Sequence, residues 1–242
     1  QIISNYQYKR KRDEVMLQRK RKIVFTWDDN CNRHYRYIGP MFEKYGIHCS
    51  FYVNPGWETF ERKYLNGYKK MDSCGFEIGS HGYMHKHMMS LSHEEYEKQL
   101  EMSKRLLQKW LGHEITTFAF PHHEYTEEML ELARKYYVET RNTVSNSVRY
   151  SLKSYTTLAD IEKISYQTDI NNQTLIFSGH SVALNPNEIT SHSRNAGYEP
   201  VLLDFLEDSI KLLLSNNPQN VFCSLSELVA TNIGGLTNER TF

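Results

Sequence analysis

KIVFTWDDN, residues 22–30, is the stretch on which the reading of this chain turns. Ile23, Val24, Phe25 and Trp27 are apolar or aromatic, with Thr26 among them, the make-up of a buried strand. The run ends on two adjacent carboxylates, Asp28 and Asp29. Side chains alternate across a strand, so neighbouring acids point in different directions unless the chain is already turning. Two acids at the mouth of a core either share one task or divide two.

The remainder of the chain can bury such a strand. It has 242 residues, of which 39% are apolar and 24% charged, enough for a substantial core and against disorder. Lys+Arg and Asp+Glu both number 29, so no global field selects nucleic acid as a partner. The local exception is the amino-terminal run KRKRDEVMLQRKRK, which reads as a solvated flank, with contact to a membrane or polyanion as the alternative. Residues 1–20 are therefore taken as a basic arm and 21–242 as one domain. An opening Gln1 in place of methionine points to a processed or partial chain. No apolar run approaches the roughly 20 residues of a membrane-spanning helix. Cys31, Cys49, Cys74 and Cys223 show no CxxC spacing, which argues against a disulfide framework or a cysteine metal site.

Further strand-like runs follow: HCSFYV, FEIGS, TTFAF, KYYVET, TLIFSG and VFCSL. Between most of them lie helical patterns. The clearest begins at Ser92, where SHEE has the form of a capping box, and it stops at Gly112. Others are RYIGPMFEKYG, FERKYLNGYKKMDSCG, EEMLELARKY and PVLLDFLEDSIKLLLSN. Strands alternating with helices of this length predict a parallel α/β domain, as an open sheet or a barrel. Two segments read instead as surface excursion or loop: 140–164, rich in Ser, Thr and Asn, and 185–200.

In either architecture, sites form beyond the carboxyl ends of the strands, and the polar candidates fall there. After FEIGS, His81 and His85 have the spacing that puts two imidazoles on one side of a helical turn. With one carboxylate they make a three-ligand set for a divalent ion. The two-residue offset of His87 would aim it elsewhere. Pro121 terminates TTFAF, and His122 and His123 follow at the same mouth. TLIFSG delivers His180 there too.

Taken together, these motifs resemble the polysaccharide deacetylases, the NodB-homology family of metal-dependent carbohydrate esterases (carbohydrate esterase family 4). TWDDN matches that family's T-F-D-D-G at Thr26, Asp28 and Asp29. HGYMH supplies both histidines of H-[ST]-x-x-H, with Gly82 at the hydroxyl position. FAFPHH echoes its proline motif, LIFSGH its late strand leading to a histidine, and FCSLSELV its closing strand and helix. The resemblance covers about residues 21 to 230, in family order.

It implies a distorted (β/α)7 barrel that removes N-acetyl groups from an amino-sugar polysaccharide or oligosaccharide. Asp29, His81 and His85 would hold one divalent ion, with zinc expected and cobalt, nickel or iron accepted by the same donors. Asp28 would stay unligated as general base and His180 would protonate the departing amine. Pro121, His122 and Tyr83 would contact the substrate, with Trp57 another ring available for stacking on sugars. The two acids would thus divide two tasks.

Several positions depart from the pattern. Ala119 stands where many members carry an arginine that pairs with the base. His123 replaces a small residue and Asn30 a glycine; the family's Asp-Trp motif that orients the acid histidine has no match here, and Asp169 is a candidate for its place. Three readings compete with the first. One is hydrolysis of a small non-sugar amide, which a closed pocket would favour over a groove. Another is an inactive carbohydrate-binding relative. A nucleic-acid role would rest on the basic arm alone and is set aside. Export to the cell surface or beyond follows from the resemblance only.

Overall fold

The computed structural model describes residues 20–58, 60–190 and 199–238. Strands β1 (Lys22–Asp28), β2 (Ser50–Val53), β3 (Glu77–Ser80), β4 (Thr117–Phe118), β5 (Glu139–Thr140), β6 (Ser147–Ser151) and β7 (Thr174–Gly179) form one parallel sheet. Their spatial order is β5-β4-β3-β2-β1-β7-β6. The sheet curls into an open (β/α) barrel, and the two strands at the ends of the order, β5 and β6, are consecutive in sequence. β10 (Val221–Phe222) pairs with the start of β1, and β8 (Val182–Ala183) pairs with β9 (Val201–Leu202) in a separate ribbon.

β1 lies centrally, between β2 and β7, and its run Ile23–Trp27 is buried throughout. A strand enclosed on both faces must be apolar all along, which is why KIVFTW does not alternate. Phe25 stacks on Phe177 of β7 at 4.7 Å and meets Phe42 edge-on at 5.0 Å. Such aromatic pairs add about 0.5–1.5 kcal/mol beyond their burial. All four cysteines are free.

Helices cover the sheet: α1 (Gly39–Lys44), α2 (Leu65–Ser73), α3 (His93–Leu111), α4 (Glu127–Tyr136), α5 (Leu158–Ile170), α6 (Leu203–Asn216) and α7 (Leu225–Asn238). α3 has the capping box expected of it. Ser92 accepts from the Glu95 N–H, the Glu95 carboxylate accepts from the Ser92 N–H at 2.9 Å, and Gly112 closes the helix at φ 83°. No helix among the described residues is long and apolar enough to cross a membrane.

Three local expectations are corrected. The segment 140–164 is not an excursion: it contains β6 and the start of α5, the latter opened by a second capping box at Thr157 and Asp160. β6 hides from a sequence reading because it is an end strand, only half-buried, and therefore carries Ser and Arg. KYYVET contributes only Glu139–Thr140 to the sheet, since Tyr136 still belongs to α4. RYIGPMFEKYG starts as a π-helical turn, His34–Ile38, before Pro40 opens α1. The basic arm through residue 19, and residues 191–198 of the expected loop, lie outside the described residues.

Candidate active site

The carboxyl end of β1 answers the question set by its sequence. Asp28 is the last strand residue, and Asp29 turns off it with φ 68°, in the left-handed region. The turn sends the two carboxylates to different neighbours. Asp28 is ion-paired with the Arg141 guanidinium, which also donates to Thr26 Oγ1 at 3.1 Å. Asp29 faces His81 and His85, whose Nε2 atoms lie 3.8 and 3.2 Å from its Oδ1.

These three donors suit a cation. Both Asp29 carboxylate oxygens are buried and accept no hydrogen bond, a costly arrangement unless something positive completes it. One ligand atom from each of Asp29, His81 and His85 lies within 4.8 Å of the others. The His81 Nδ1–H donates to the Ala119 carbonyl at 2.7 Å, which leaves the Nε2 lone pair for the shared centre. Burial and the adjacent Asp28 charge push Asp29 up to about 7. Burial pushes His81 down to about 3 and, with His122 beside it, His85 down to about 4, so both imidazoles are neutral as ligands must be. Carboxylate and imidazole donors fit zinc and the neighbouring divalent metals alike.

No helical turn brings the histidines together, contrary to the sequence expectation. Residues 81–87 are irregular, and convergence depends on positive φ at Gly82 (75°) and His85 (51°). Glycine suits position 82 because φ 75° lies in the left-handed region that strains other residues, and a Cβ there would also press on the tip of the Met88 side chain. Asn30 and Asn54 brace the same loops. The Asn30 side-chain amide donates to the Asn54 carbonyl at 2.8 Å and accepts from the Asn54 N–H at 3.0 Å, and Asn54 Nδ2 donates to the His81 carbonyl and, at 3.2 Å, to that of Gly82. Asn30 thus replaces the family glycine with a latch between the ends of β1 and β2.

Burial alone would raise the Asp28 carboxyl, but Arg141, then His81 and His180, outweigh it and hold it well below the usual range. Arg141, itself buried, is the residue that sequence reasoning missed. It follows β5 directly and fills, from a different strand end, the place that Ala119 leaves without a cation. A second omission is His34. Its Nε2–H donates to the His180 carbonyl at 2.8 Å and its Nδ1 accepts from the Tyr68 hydroxyl at 2.9 Å. It fixes the end of β7 relative to β1.

A cavity of about 250 Å³ lies over these groups, lined by Asp28, Asp29, His81, His85 and His180, with Phe120, His122, His123, Ser151 and Lys153 around them. His122 and His123 have φ of 57° and 59°, and His122 stacks on His87 at 3.7 Å. Pro121 and Tyr83 do not line it: Pro121 is buried against Gly82, and Tyr83 packs on Gly56. Asp169 is also removed from His180. It accepts from Asn217 and interacts with Arg21, at the opposite end of the barrel. A second depression of about 340 Å³ adjoins the first, sharing Asp29 and His180 and reaching Trp57, Val182 and Pro200.

The sequence profile of the polysaccharide deacetylases matches residues 17–140. The chain belongs to the polysaccharide deacetylase family. YxkH of Bacillus subtilis (strain 168), itself assigned to the polysaccharide deacetylases, is 25% identical over 115 residues, 47% of this chain and 41% of that protein. The alignment thus spans less than half of that relative. Among solved structures, the peptidoglycan deacetylase PdaC of Bacillus subtilis superposes with a TM-score of 0.60 at 18% identity, covering 91% of this chain and 95% of that one. BA3943 of Bacillus anthracis, described as a family 4 pseudoenzyme, gives 0.59 at 18% identity over 86% of this chain and 65% of that one. These likenesses establish the shared fold.

Proposed function

We propose that this deacetylase-family chain is an active, divalent-metal-dependent hydrolase that removes N-acetyl groups from an amino-sugar glycan. The observation that carries the reading is the pair of adjacent acids with different surroundings. Asp28 is fully ionised against Arg141, and Asp29 is unsatisfied between two neutral imidazoles. Asp29, His81 and His85 would hold a divalent cation, which would supply Lewis-acid polarisation of the amide carbonyl and a lowered pKa for the attacking water. Asp28, aimed into the same cavity, takes a proton from the attacking water. Arg141 keeps Asp28 unprotonated and fixed in place. His180, across the cavity, gives a proton to the departing amine, and His34 holds the backbone from which it projects. General acid–base assistance of this kind is worth about 10²–10⁴-fold per group. A peptide N–H at His122 would serve the developing oxyanion, since those of His123 and Glu124 donate to the Phe120 and Pro121 carbonyls.

A glycan is favoured over a small amide because the two cavities meet at Asp29 and His180 instead of closing over them. The outer one offers Trp57 as a stacking surface for a neighbouring ring. The test is acetate release from an N-acetylglucosamine tetramer by zinc-loaded and chelated protein. Release that stops on chelation and returns with zinc is expected. Bound zinc with no acetate from this substrate would contradict the reading and align the chain with inactive relatives.

A further inference from the structure

The turn that carries His122 and His123 is tied to the Arg141 loop at two points. The Phe120 N–H donates to Asn142 Oδ1 at 3.3 Å, and Arg141 Nη2 lies 3.5 Å from His123 Nδ1. A guanidinium can only donate, so Nδ1 is the acceptor and the neutral ring carries its proton on Nε2. The other arm of the fork, Nη1, serves Asp28 and Thr26. The guanidinium carbon also stands 5.3 Å from the centre of the buried Tyr52 ring, a cation–π contact.

Arg141 comes to Asp28 from another strand end, and one arm on a carboxylate leaves the planar fork free to turn about that bond. An acceptor for the second arm removes this freedom, and a small residue at position 123 would offer none. The backbone there is held at φ 59°, next to His122 at 57°, two consecutive left-handed residues neither of which is glycine. Such conformations persist where the surroundings over-determine them, and they gather at functional sites. Here the strained turn brings an imidazole to Arg141.

We propose that His123 is a positioning residue: through Nδ1 it holds the second arm of Arg141, and so keeps the first arm and the Asp28 carboxylate aligned for the attacking water. Its part in catalysis rests on the deacetylase reading above, whereas its hold on Arg141 does not. His123 also lines the cavity. The contrasting role is therefore a wall that touches substrate, and experiment separates the two.

The test compares His123→Gly with His123→Asn. Both residues adopt positive φ readily, but only asparagine returns an acceptor, its amide oxygen, to the side chain. With zinc-loaded protein and an N-acetylglucosamine tetramer, His123→Gly should lower kcat about 10- to 100-fold with KM unchanged. His123→Asn should restore most of that loss, and both variants should hold zinc as the wild type does. A wall would move KM instead, and asparagine would not rescue it. The same two changes are then made in Arg141→Lys, which keeps a cation for Asp28 but has no second arm. There the glycine and asparagine variants should share one kcat. The gap between their chemical-denaturation midpoints should also be narrower than in the wild-type background. An unchanged kcat, an effect on KM, failure of asparagine to rescue, or equal midpoint gaps in the two backgrounds would each overturn the proposal. A wild type that releases no acetate would sink the deacetylase reading, and the midpoint gaps alone would then decide whether His123 holds Arg141.

Discussion

Strand β1 meets buried charge at both of its ends and treats it differently. At the amino end, Arg21 is satisfied: its guanidinium donates to the Ser165 carbonyl, to Thr168 Oγ1 at 3.2 Å and to Asn220 Oδ1 at 2.9–3.1 Å. At the carboxyl end, Asp28 has a full partner in Arg141, but Asp29 keeps two buried oxygens with no hydrogen bond, on a backbone held at positive φ. One end joins α5 and the β10 region to the barrel and is complete. At the other, positive φ at Asp29 and its buried, unbonded oxygens are the kind of local strain that gathers at functional sites. A buried charge left open next to one fully paired marks where the chain has given up stability for chemistry.

That contrast can be broken by mutation, with the largest effect in activity. Asp28→Asn should cut acetate release by about 10²–10⁴-fold, the worth of a general base, with the fold kept. Stability should respond next. Arg141→Met strands Asp28 as an unpaired buried charge and should cost about 3–5 kcal/mol by chemical denaturation. Arg21→Met leaves neutral acceptors at hydrogen-bond distance and an Asp169 carboxylate that still accepts from Asn217, and should cost less, about 1–3 kcal/mol. Equal losses would erase the distinction between the two ends.

The pH dependence of folding sharpens it. Burial pushes His34 down to about 4 from an ordinary 6.5, and His85 and His123 likewise to about 4. Between those limits the unfolded chain binds more protons than the folded one, so stability rises with pH through this window and is lost on acidification. At about 1.36 kcal/mol per pH unit of displacement, His34 accounts for up to about 3 kcal/mol of that loss. Thermal melts from pH 7 to pH 4 should show a steep decline, shallower in His34→Gln. A profile that is flat in the wild type would contradict the buried neutral imidazoles.

The smallest effect concerns the loop that aligns the ligands. Gly82→Ala puts a Cβ in the left-handed region and against Met88, at a cost of about 1–2 kcal/mol. It should also weaken zinc binding, because His81 and His85 flank the displaced peptide.

Much of this was legible in the residues. β1 was readable because a strand buried on both faces is apolar without interruption, and α3 because its two caps are local chemistry. The acid and histidine positions at four strand ends were readable from the same strand endings. The closing of His81 on His85 was not, since it runs through positive φ and not through helical spacing. Arg141 was hidden more deeply. It lies in a Ser-, Thr- and Asn-rich stretch that suggests surface, and only the curl of the barrel brings the end of β5 back to β1. Ala119 recorded that a cation was missing from one place without indicating where another had arisen. Tyr83 was misplaced for a related reason, because an aromatic after a strand end packs on a glycine as readily as it faces a cavity.

In the proposed function Asp28 and Asp29 divide the work between base and cation seat. Zinc content per folded chain, measured after dialysis for Asp28→Asn and Asp29→Asn side by side, tests it most directly. About one equivalent should be retained in Asp28→Asn and none in Asp29→Asn. Equal zinc in the two variants, whether both full or both empty, would contradict it.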